Sequence, residues 1–417
     1  TVIITIMTIS YAASSGIILQ TGPDDSFITV EGKVIDSETK EALIFVTVTA
    51  EGTNVGTVTN TEGMFTLNID KSLNVEKISF KHLGYKNKEV PVASLLGDDV
   101  VISLESHYVP LEEVVVRPEN PYELIEEVLE RIGENYSSEP NKHMAFYRET
   151  IKNKRKYVSI SEAVVEIYKA PYNDDFKFDM VKLFKGRKSA NVKEQDTIIM
   201  KLRGGPKTAL LLDIAKNPDI LFSDDNLEQY IFSLDKITNI DNKQNYVINF
   251  EQKVNQEYPL FNGKLYVDIK SLAITAAEFS LNLENEEEAA RLFVRKKPLM
   301  MKIRPISTKY VVKYTEDNGK YYFSHARGEV VFKVKWKQKL FNSRYTIMTE
   351  IASTDRTNTN VVKYARNEQL RSNIVFEEKV YPFADPEFWG KYNTIKPEES
   401  IENAIQKYGV RLKIQNN

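Results

Sequence analysis

The fold is decided by the stretch Gly56-Thr57-Val58-Thr59-Asn60-Thr61-Glu62-Gly63-Met64-Phe65-Thr66-Leu67-Asn68-Ile69. From Met64 onward apolar and polar side chains alternate, which is the period of a β-strand with one buried face. Residues 60–63 supply the Asn and Gly that hairpin turns favour, and Gly63 can adopt a positive φ without steric cost. The stretch therefore predicts two antiparallel strands joined by a tight turn.

Other short strands are predicted on both sides of this hairpin. Residues 27–35 alternate in the same way and lead into turn residues at 36–40, and a second strand is predicted at 42–50. Apolar runs at 77–80 and 100–104 complete the set. Short strands separated by turn residues are typical of a compact antiparallel β-sandwich, which we place at residues 27–106.

A structural motif in this region consists of Gly32, Asp36, Gly56, Asn60, Gly63, Phe65, Gly84 and Tyr85. The spacing of these residues resembles that of the carboxypeptidase-regulatory-like domain of envelope proteins of the Bacteroidetes type. The resemblance implies a transthyretin-like sandwich of seven strands, which serves as a non-catalytic accessory domain. The segment Leu111–Val116 resembles the one that follows this module in TonB-dependent receptors.

A linker and a helix are predicted over residues 107–137. The residues from Pro118 to Pro121 break the strand pattern, and Asn120 is suited to cap a helix whose first turn begins at Pro121. Apolar residues then recur at helical spacing as far as Ile132. Gly133 is predicted to end the helix.

A larger antiparallel β-rich domain with a few helices is predicted at residues 138–380, so the fold class is mainly β. Most of its segments alternate as strands do, and Asp317-Asn318-Gly319 is a strong hairpin signal. Short helices are predicted at 207–216 and 223–230. Long hairpins with few helices favour a half-barrel-like sheet around helical elements, with a second sandwich as the alternative. A tail with a short helix is predicted at residues 381–417.

The composition excludes several classes of function. The 417 residues include 56 basic and 59 acidic side chains, a net charge of −3, so no global charge attracts nucleic acid or an anionic membrane. The chain has no cysteine, which excludes disulfides, thiolate catalysis, zinc–thiolate sites and iron–sulfur clusters. No stretch approaches the ~20 apolar residues of a membrane-spanning helix.

The first residues, 1–26, are interpreted as a signal-like, flexible N-terminus. Residues 1–9 are β-branched or apolar, and small residues follow at 12–16, an order typical of a secretory signal. The alternative is a β-strand at a domain edge. The signal-like interpretation predicts an exported protein of the periplasm or the periphery of the outer membrane.

No catalytic, cofactor-binding or metal-binding residue is predicted. The pairs Ser37…Lys40 and Ser233…Lys236 match Ser-x-x-Lys, but neither is expected on one helical face, so chance explains them. The acidic doublets at 98–99, 174–175 and 224–225 lack the spacing of a calcium loop and are interpreted as solvated turns.

The histidines do not form a metal site at the level of sequence. A catalytic zinc needs three protein ligands, and His143 with its neighbours Arg148 and Glu149 lacks the ligand spacing of zinc motifs. The remaining histidines are scattered and are interpreted as surface or hydrogen-bonded residues; they are His82, His107 and His325.

Aromatic residues suggest one further role. The 22 tyrosines and 20 phenylalanines are expected to pack in cores and across strands. A partly open half-barrel lined by them could also hold a hydrophobic or lipid-like ligand. The residues considered for this lining are Tyr310, Tyr314, Tyr321, Tyr322 and Phe323.

These observations together favour a non-catalytic binding or assembly protein of the periplasm or outer membrane, whose sandwich docks an envelope protein partner. One alternative is an accessory or relative of a TonB-dependent transport system, supported by Leu111–Val116. A second alternative is a hydrolase with an unrecognised carboxylate site. No cofactor and no nucleic acid partner are predicted.

Overall fold

The computed structural model describes residues 26–97, 99–107, 120–174, 178–190, 205–223, 225–254, 258–293, 301–337, 342–382 and 386–406. Within these ranges the chain forms three β-sheets, two small ones followed along the chain by a large one. Helices are few and short. The mainly β class predicted from the sequence is therefore confirmed.

The two small sheets form the predicted sandwich. Its strands are β1 (Phe27–Asp36), β2 (Thr47–Ala50), β3 (Gly56–Val58), β4 (Met64–Asp70), β5 (Lys77–Lys81), β6 (Lys88–Pro91) and β7 (Val101–Leu104). One sheet has the order β4-β1-β7 and the other β3-β2-β5-β6. The pairing is antiparallel except between β1 and β7, which run parallel.

The core of the sandwich lies between these two sheets. Val34 and Leu67 enter it from one sheet and Val48 and Phe80 from the other, and all four are fully buried. The ring of Phe65 meets the ring of Phe80 edge to face, with 5.4 Å between their centroids. The alternation of strand residues thus places one apolar row from each sheet in a shared core.

The second strand is shorter than predicted. The sequence predicts a strand over 42–50, but regular pairing begins only at Thr47, and Ala42 makes a single bridge to Ile35. Phe45 has a φ of +59°, a left-handed conformation that interrupts an extended strand. The turn at Phe45 directs its ring out of the sandwich core.

The body of the protein is one open sheet. Its strands are β8 (Asn141–Asn153), β9 (Lys156–Lys169), β10 (Met180–Ala190), β11 (Tyr230–Ile240), β12 (Lys243–Gln252), β13 (Phe261–Asp268), β14 (Ile274–Leu281), β15 (Met301–Asp317), β16 (Lys320–Trp336), β17 (Ser343–Thr357) and β18 (Tyr381–Pro382). They are ordered β11-β12-β13-β14-β15-β16-β17-β8-β9-β10-β18. Because β11 and β18 are edges, the sheet is not closed, in agreement with the half-barrel-like prediction and not with a second sandwich.

The longest hairpin of the sheet turns where the sequence predicts. Asp317 pairs with Lys320, which leaves Asn318 and Gly319 as a two-residue loop between β15 and β16. Their φ angles are 52° and 79°. Two positive φ values in succession define a type I′ turn, which matches the twist of the flanking strands.

Short helices pack against this sheet. They are α1 (Pro121–Glu130), α2 (Ile132–Asn135), α3 (Gly205–Ala209), α4 (Asp219–Phe222) and α5 (Glu286–Phe293), and residues 399–406 are helical as well. The Asn120 side chain accepts a hydrogen bond from the Tyr122 N–H, which confirms the predicted cap. The apolar stripe of α1 is buried against the sheet through Leu124, Ile125 and Val128.

Three helix boundaries differ from the prediction. Gly133 lies inside α2, because α1 already ends at Glu130. In place of a helix over 207–216, α3 continues as a 3₁₀ turn at Leu210–Leu212. In place of a helix over 223–230, α4 precedes this range and only a 3₁₀ turn at Leu227–Gln229 lies within it. Pro206 and Pro218 explain the shifts, since proline favours the first turn of a helix.

The two faces of the large sheet have different neighbours. The inner face packs against α1, α3 and α4, and Tyr147 of β8 belongs to it. The outer face packs against the sandwich and the C-terminal segment, residues 386–406. For example, Val58 of β3 contacts Phe146 of β8 and Ile395 of the C-terminal segment. Neighbouring residues of one strand thus serve two different interfaces.

Within the part of the chain that the structure describes, no helix is long and apolar enough to cross a bilayer. The signal-like region 1–26 and Leu111–Val116 lie outside the described residues, except for Ser26.

Candidate functional site

A cleft lies where the sandwich meets the body. Its floor is the outward face of the sheet β3-β2-β5-β6, and its roof consists of strand ends and hairpin turns of the body. Thr47 and Thr49 point into the cleft because they alternate with Val48 and Ala50, which are buried in the sandwich core. The cleft has a volume of about 440 Å³.

Uncharged polar side chains contribute much of the lining. Hydroxyl and amide groups both donate and accept hydrogen bonds, so these side chains can bind ligand hydroxyl or amide groups. Charged side chains of both signs line the cleft as well; they are Glu51, Lys81, Glu89, Glu316, Asp317 and Arg356. The side chains concerned include Thr47, Thr49, Ser79 and Asn87 from the sandwich and Thr315 and Ser353 from the body.

His143 lies at the buried end of the cleft. Its Nδ1 is 2.7 Å from the Ser353 hydroxyl, and its Nε2 is 2.6 Å from the Asn141 side-chain oxygen. Burial holds the pKa of His143 well below its usual range, and the nearby cations Lys169 and Arg356 lower it further. Because both ring nitrogens are engaged and the ring is neutral, His143 orders the wall of the cleft.

Arg356 joins the floor of the cleft to its roof. Its guanidinium stacks on the Tyr322 ring, 3.5 Å from the centroid, and is paired with Asp317. The same guanidinium donates to the Asn54 side chain at 2.9 Å, and Asn54 donates back to the Arg356 carbonyl at 3.1 Å. These reciprocal bonds fix the separation of the two walls.

A second contact between sandwich and body is centred on Phe45. Its ring lies 5.0 Å from the His325 ring and 5.5 Å from the Arg327 guanidinium. Its carbonyl accepts a hydrogen bond of 2.8 Å from the Lys313 ammonium group. Burial at this contact lowers the pKa of Lys313 to about 8, although Glu278 and Asp241 act in the opposite direction. The two domains therefore share a buried interface as well as a cleft.

Asp36 and Tyr85 organise one end of the sandwich. The Asp36 carboxylate accepts hydrogen bonds from the Thr39 and Glu38 N–H groups and from the Tyr85 hydroxyl. The Thr39 bond is the largest cause, followed by the Tyr85 bond, and together with the Glu38 bond they lower the pKa of Asp36 to about 2. Asp36 therefore fixes the turn after β1 and the position of Tyr85.

Asn60 and Gly63 form the turn predicted between β3 and β4. The Asn60 side-chain oxygen accepts from the Glu62 and Met64 N–H groups. Gly63 has a φ of +75°, and a Cβ there would lie 2.6 Å from the Val34 carbonyl oxygen. Only glycine meets both requirements.

The other motif residues also have structural roles. A Cβ on Gly32 would lie 2.8 Å from the Val100 carbonyl oxygen, and a Cβ on Gly56 would lie 2.8 Å from the Val48 carbonyl oxygen. Phe65 fills the sandwich core. Gly84, with a φ of +78°, donates its N–H to the Asn239 carbonyl of the body. Among the motif residues, Gly56 also lines the cleft.

The motif geometry agrees with a family comparison. Residues 30–116 match the model of the CarboxypepD_reg-like domain. The sandwich is a CarboxypepD_reg-like domain. This confirms the resemblance drawn from the motif, while the Bacteroidetes type stays a prediction.

Comparisons of the whole chain give weaker results. No curated protein matches its sequence. A DUF1329 family protein from Desulfovibrio piger is 12% identical and aligns over 58% of this chain and 95% of its own, with a TM-score of 0.25. A Vibrio parahaemolyticus domain described as outer membrane lipoprotein-sorting is 10% identical over 58% of this chain and 94% of its own, with a TM-score of 0.25. Lipovitellin aligns over 57% of this chain and 28% of its own at 10% identity and a TM-score of 0.26. Structural similarities with such low TM-scores are not evidence of a shared function.

A ladder of charged residues, all buried except the half-buried Arg327, crosses the outer face of the sheet. Its residues pair directly across five adjacent strands and alternate in sign; they are Arg327, Glu350, Arg148, Glu162 and Arg187. Both Glu162 oxygens accept guanidinium N–H groups at 2.8 Å, one from Arg148 and one from Arg187. Burial would raise the pKa of Glu162, but these two cations lower it.

The C-terminal segment covers this charge ladder. Arg148 donates to the Ile395 carbonyl at 2.8 Å. The Glu398 carboxylate lies 3.9 Å from both Arg148 and Arg327, and it accepts a hydrogen bond from the Thr61 hydroxyl of the CarboxypepD_reg-like domain at 3.0 Å. The segment thereby links the sheet to the sandwich.

The inner face holds a separate charged cluster around Lys169. The Lys169 ammonium pairs with Asp179 and, at 2.6 Å, with Asp213. The hydroxyls of Tyr172 and Tyr314 also donate to Asp213, at 2.7 and 3.0 Å. Burial would lower the pKa of Lys169, but the two carboxylates raise it. Asp213 lies between α3 and α4, so the cluster ties this helical region to the sheet.

Glu149 is a buried acid on the same inner face. It accepts a hydrogen bond of 2.7 Å from the Tyr147 hydroxyl. Burial raises its pKa to about 8, with a further contribution from Glu377, while the Tyr147 bond opposes the shift. Glu149 is therefore largely protonated at neutral pH.

The remaining sequence candidates do not converge on one site. Lys40 donates to the main-chain oxygen of Ser37 in a turn, and Ser233 and Lys236 lie on strand β11. No group of three or more potential metal-ligating residues occurs within the described ranges. One member of each acidic doublet lies outside those ranges, namely Asp98, Asp175 and Asp224.

The aromatic residues considered for a hydrophobic ligand are mostly part of the core. Tyr314, Tyr321 and Phe323 belong to the inner-face core, with Tyr310 packed at its margin. Tyr322 lies beneath Arg356 at the cleft. The hydrophobic ligand stays a prediction from the sequence.

Sequence reasoning missed the cleft, the charge ladder and the Lys169 cluster. One signal for the ladder was present, since Arg148 directly follows the apolar run Met144–Tyr147 and Glu162 directly precedes the apolar run Ala163–Val165. A charged residue beside such a run is expected to be paired. Its partners could not be named, because they depend on the order of the strands.

Proposed function

We propose that this protein is a non-catalytic binding protein of the cell envelope, which binds a neutral oligosaccharide in the cleft between the CarboxypepD_reg-like domain and the body. The observation that carries the proposal is the lining of the cleft, where hydroxyl and amide side chains come from both domains. Sugar hydroxyls both donate and accept hydrogen bonds, as do Thr49, Ser79 and Asn87.

The fixed separation of the walls supports binding at this place. Arg356 and Asn54 hold the two domains together at the cleft, and Phe45 does so beside it. A site that is formed before the ligand arrives loses less conformational entropy on binding. Interfaces between domains are also common places for ligand sites.

The envelope location rests on the signal-like residues 1–26 and on the resemblance of the sandwich to modules of envelope proteins. Fractionation of the native cells tests it: we expect the full chain in the envelope fraction, and recovery in the cytoplasm would overturn this part of the proposal. An envelope protein partner of the sandwich is also proposed on this basis, on surfaces that the body leaves uncovered.

Calorimetric titration of the full chain with soluble neutral oligosaccharides tests the cleft. Thr49→Trp is the informative variant, because its cross-strand neighbours Gly56 and Ser79 are small and leave room for the indole to enter the cleft. Thr29→Trp, at an exposed position of β1, is the matched control.

We expect Thr49→Trp to weaken binding at least about tenfold, equivalent to ~1.4 kcal/mol, while Thr29→Trp binds as the unmodified protein does. If no oligosaccharide binds, or if Thr49→Trp binds unchanged, the proposal is wrong. Titration with a fatty acid in the same experiment tests the hydrophobic ligand predicted from the sequence. Recovery of cleaved oligosaccharides would instead support the hydrolase alternative.

A further inference from the structure

A second cavity, separate from the cleft, lies where the chain between Tyr364 and Ile374 passes α3. It has a volume of about 470 Å³. We call it the basic groove. Its polar and charged lining consists of Lys207, Arg366, Gln369, Arg371, Ser372 and Asn373.

The charged side chains of the basic groove are all cations. Within the described ranges, Lys207, Arg366 and Arg371 have no carboxylate partner within 4.0 Å. Arg356 of the cleft is by contrast paired with Asp317, and Arg304 of a third cavity is paired with Glu286. The groove is positive although the chain as a whole has a net charge of −3.

The acidic residue nearest in sequence to Arg366 and Arg371 is paired with a lysine outside the groove. Glu368 lies between Arg366 and Arg371, but its carboxylate pairs with Lys182 of β10 at 2.7 Å. Its other oxygen accepts from the Ala365 N–H at 3.1 Å. Glu368 therefore leaves the positive charge of the groove uncompensated.

The backbone around the groove is anchored on both sides. Leu370 donates its N–H to the Val181 carbonyl at 2.7 Å, and the Gln369 amide donates to the Tyr364 carbonyl at 2.7 Å. On the other side, Gly205 of α3 packs directly on the buried Phe376 ring. The backbone that carries the exposed Arg366 and Arg371 side chains is therefore held in place beside Lys207.

We propose that the basic groove binds a phosphate group carried by a small ligand. A guanidinium group offers paired N–H donors that match phosphate oxygens, and an ammonium group adds a point charge. The Ser372 and Asn373 side chains supply further donors for the remaining oxygens. A soluble phosphorylated sugar and a lipid headgroup share this chemistry. The site is independent of the oligosaccharide proposed for the cleft.

The experiment uses the full chain with two kinds of probe. Inorganic pyrophosphate and glucose 6-phosphate are titrated by calorimetry, and co-sedimentation is measured with phosphatidylcholine vesicles that contain or lack phosphatidic acid. The test variants are Arg366→Gln and Arg371→Gln. The control is Arg304→Gln, an exposed arginine at another cavity.

We expect each test variant to weaken binding about tenfold, and the control to leave it unchanged. Binding should also weaken as salt is added. Binding of the soluble probes alone identifies a soluble phosphate ester, and binding of the acidic vesicles alone identifies a lipid headgroup.

Failure of all probes to bind, or unchanged affinity in Arg371→Gln, would overturn the proposal. Thr49→Trp should bind phosphate as the unmodified protein does, so that failure at the cleft and failure at the groove are told apart.

Discussion

The inner and outer faces of the large sheet bury charged residues in two different ways. On the outer face, Glu162 and Arg148 each stand between two residues of opposite charge in the charge ladder. On the inner face, Lys169 forms ion pairs with both Asp179 and Asp213, and Glu149 accepts a hydrogen bond from a tyrosine hydroxyl. The ladder therefore has redundant partners, whereas the inner cluster depends on one cation.

This difference predicts the largest loss of stability for Lys169→Met. The change leaves Asp179 and Asp213 without the cation that neutralises them, and Asp213 is fully buried. Breaking a buried ion pair by removing one partner costs about 3–5 kcal/mol. Urea unfolding measures the free energy, with Lys182→Met as the control at a partly exposed ion pair. A loss no greater than that of the control would show that the tyrosine hydroxyls alone satisfy Asp213.

Arg148→Met should lower the free energy of unfolding by less than Lys169→Met does, by about 3 kcal/mol, the lower end of the range for a broken buried ion pair. Glu162 keeps Arg187 as a partner, and Glu350 keeps Arg327. If Arg148→Met lost more unfolding free energy than Lys169→Met in the same urea titrations, the charge ladder would not be the more redundant of the two. Arg304→Met, at an exposed ion pair, should change the free energy of unfolding by less than about 1 kcal/mol.

Glu149→Gln should change the pH dependence of stability. The folded-state pKa of Glu149 is raised from 4.5 to about 8, so the folded protein holds a proton that the unfolded chain releases between these pH values. Stability contributed by this group therefore falls as pH rises from about 4.5 to about 8, by at most ~1.4 kcal/mol per pH unit. The free energy of unfolding of Glu149→Gln should therefore rise relative to that of the unmodified protein as the pH rises from 5 to 8. The exposed Glu251→Gln should show no such gain.

Lys313, on the outer face, should make stability depend on pH in the opposite direction from Glu149 and by a smaller amount. Its pKa is lowered from 10.5 to about 8, so the unfolded chain holds the proton more tightly, and stability rises as pH increases between these values. Lys313→Met should lack that rise, while the exposed Lys309→Met should keep it. Thermal unfolding at pH 8 and pH 10 measures both. An unchanged rise in Lys313→Met would place the titrating group elsewhere.

Local features of the fold could be predicted from the sequence because they depend on a few neighbouring residues. Asn120 and Pro121 begin α1, and Asn318-Gly319 forms the type I′ turn. Gly63 occupies a position that only glycine tolerates. The motif of the CarboxypepD_reg-like domain was recognised for the same reason, since its turns and close approaches require particular residue types at fixed spacing.

The non-local features could not be predicted. The sequence does not state that β8 lies between β17 and β9, and without this order Arg148 cannot be placed beside Glu350. The left-handed turn at Phe45 was missed because its alternating neighbours look like a continuous strand. The cleft could not be predicted either, since its walls come from segments that are far apart in the chain.

The position of β8 also sets a minimum time for the assembly of the body. Its pairing with β17 joins Lys142 to Thr357, positions that are separated by 215 residues, the difference of the two numbers. At a synthesis rate of ~5–20 residues per second, β8 waits about 10–40 seconds for its partner. The CarboxypepD_reg-like domain, whose strands all lie between Phe27 and Leu104, has no such wait. On a chain that emerges from its N-terminus, all strands of the sandwich are therefore available for pairing before those of the body.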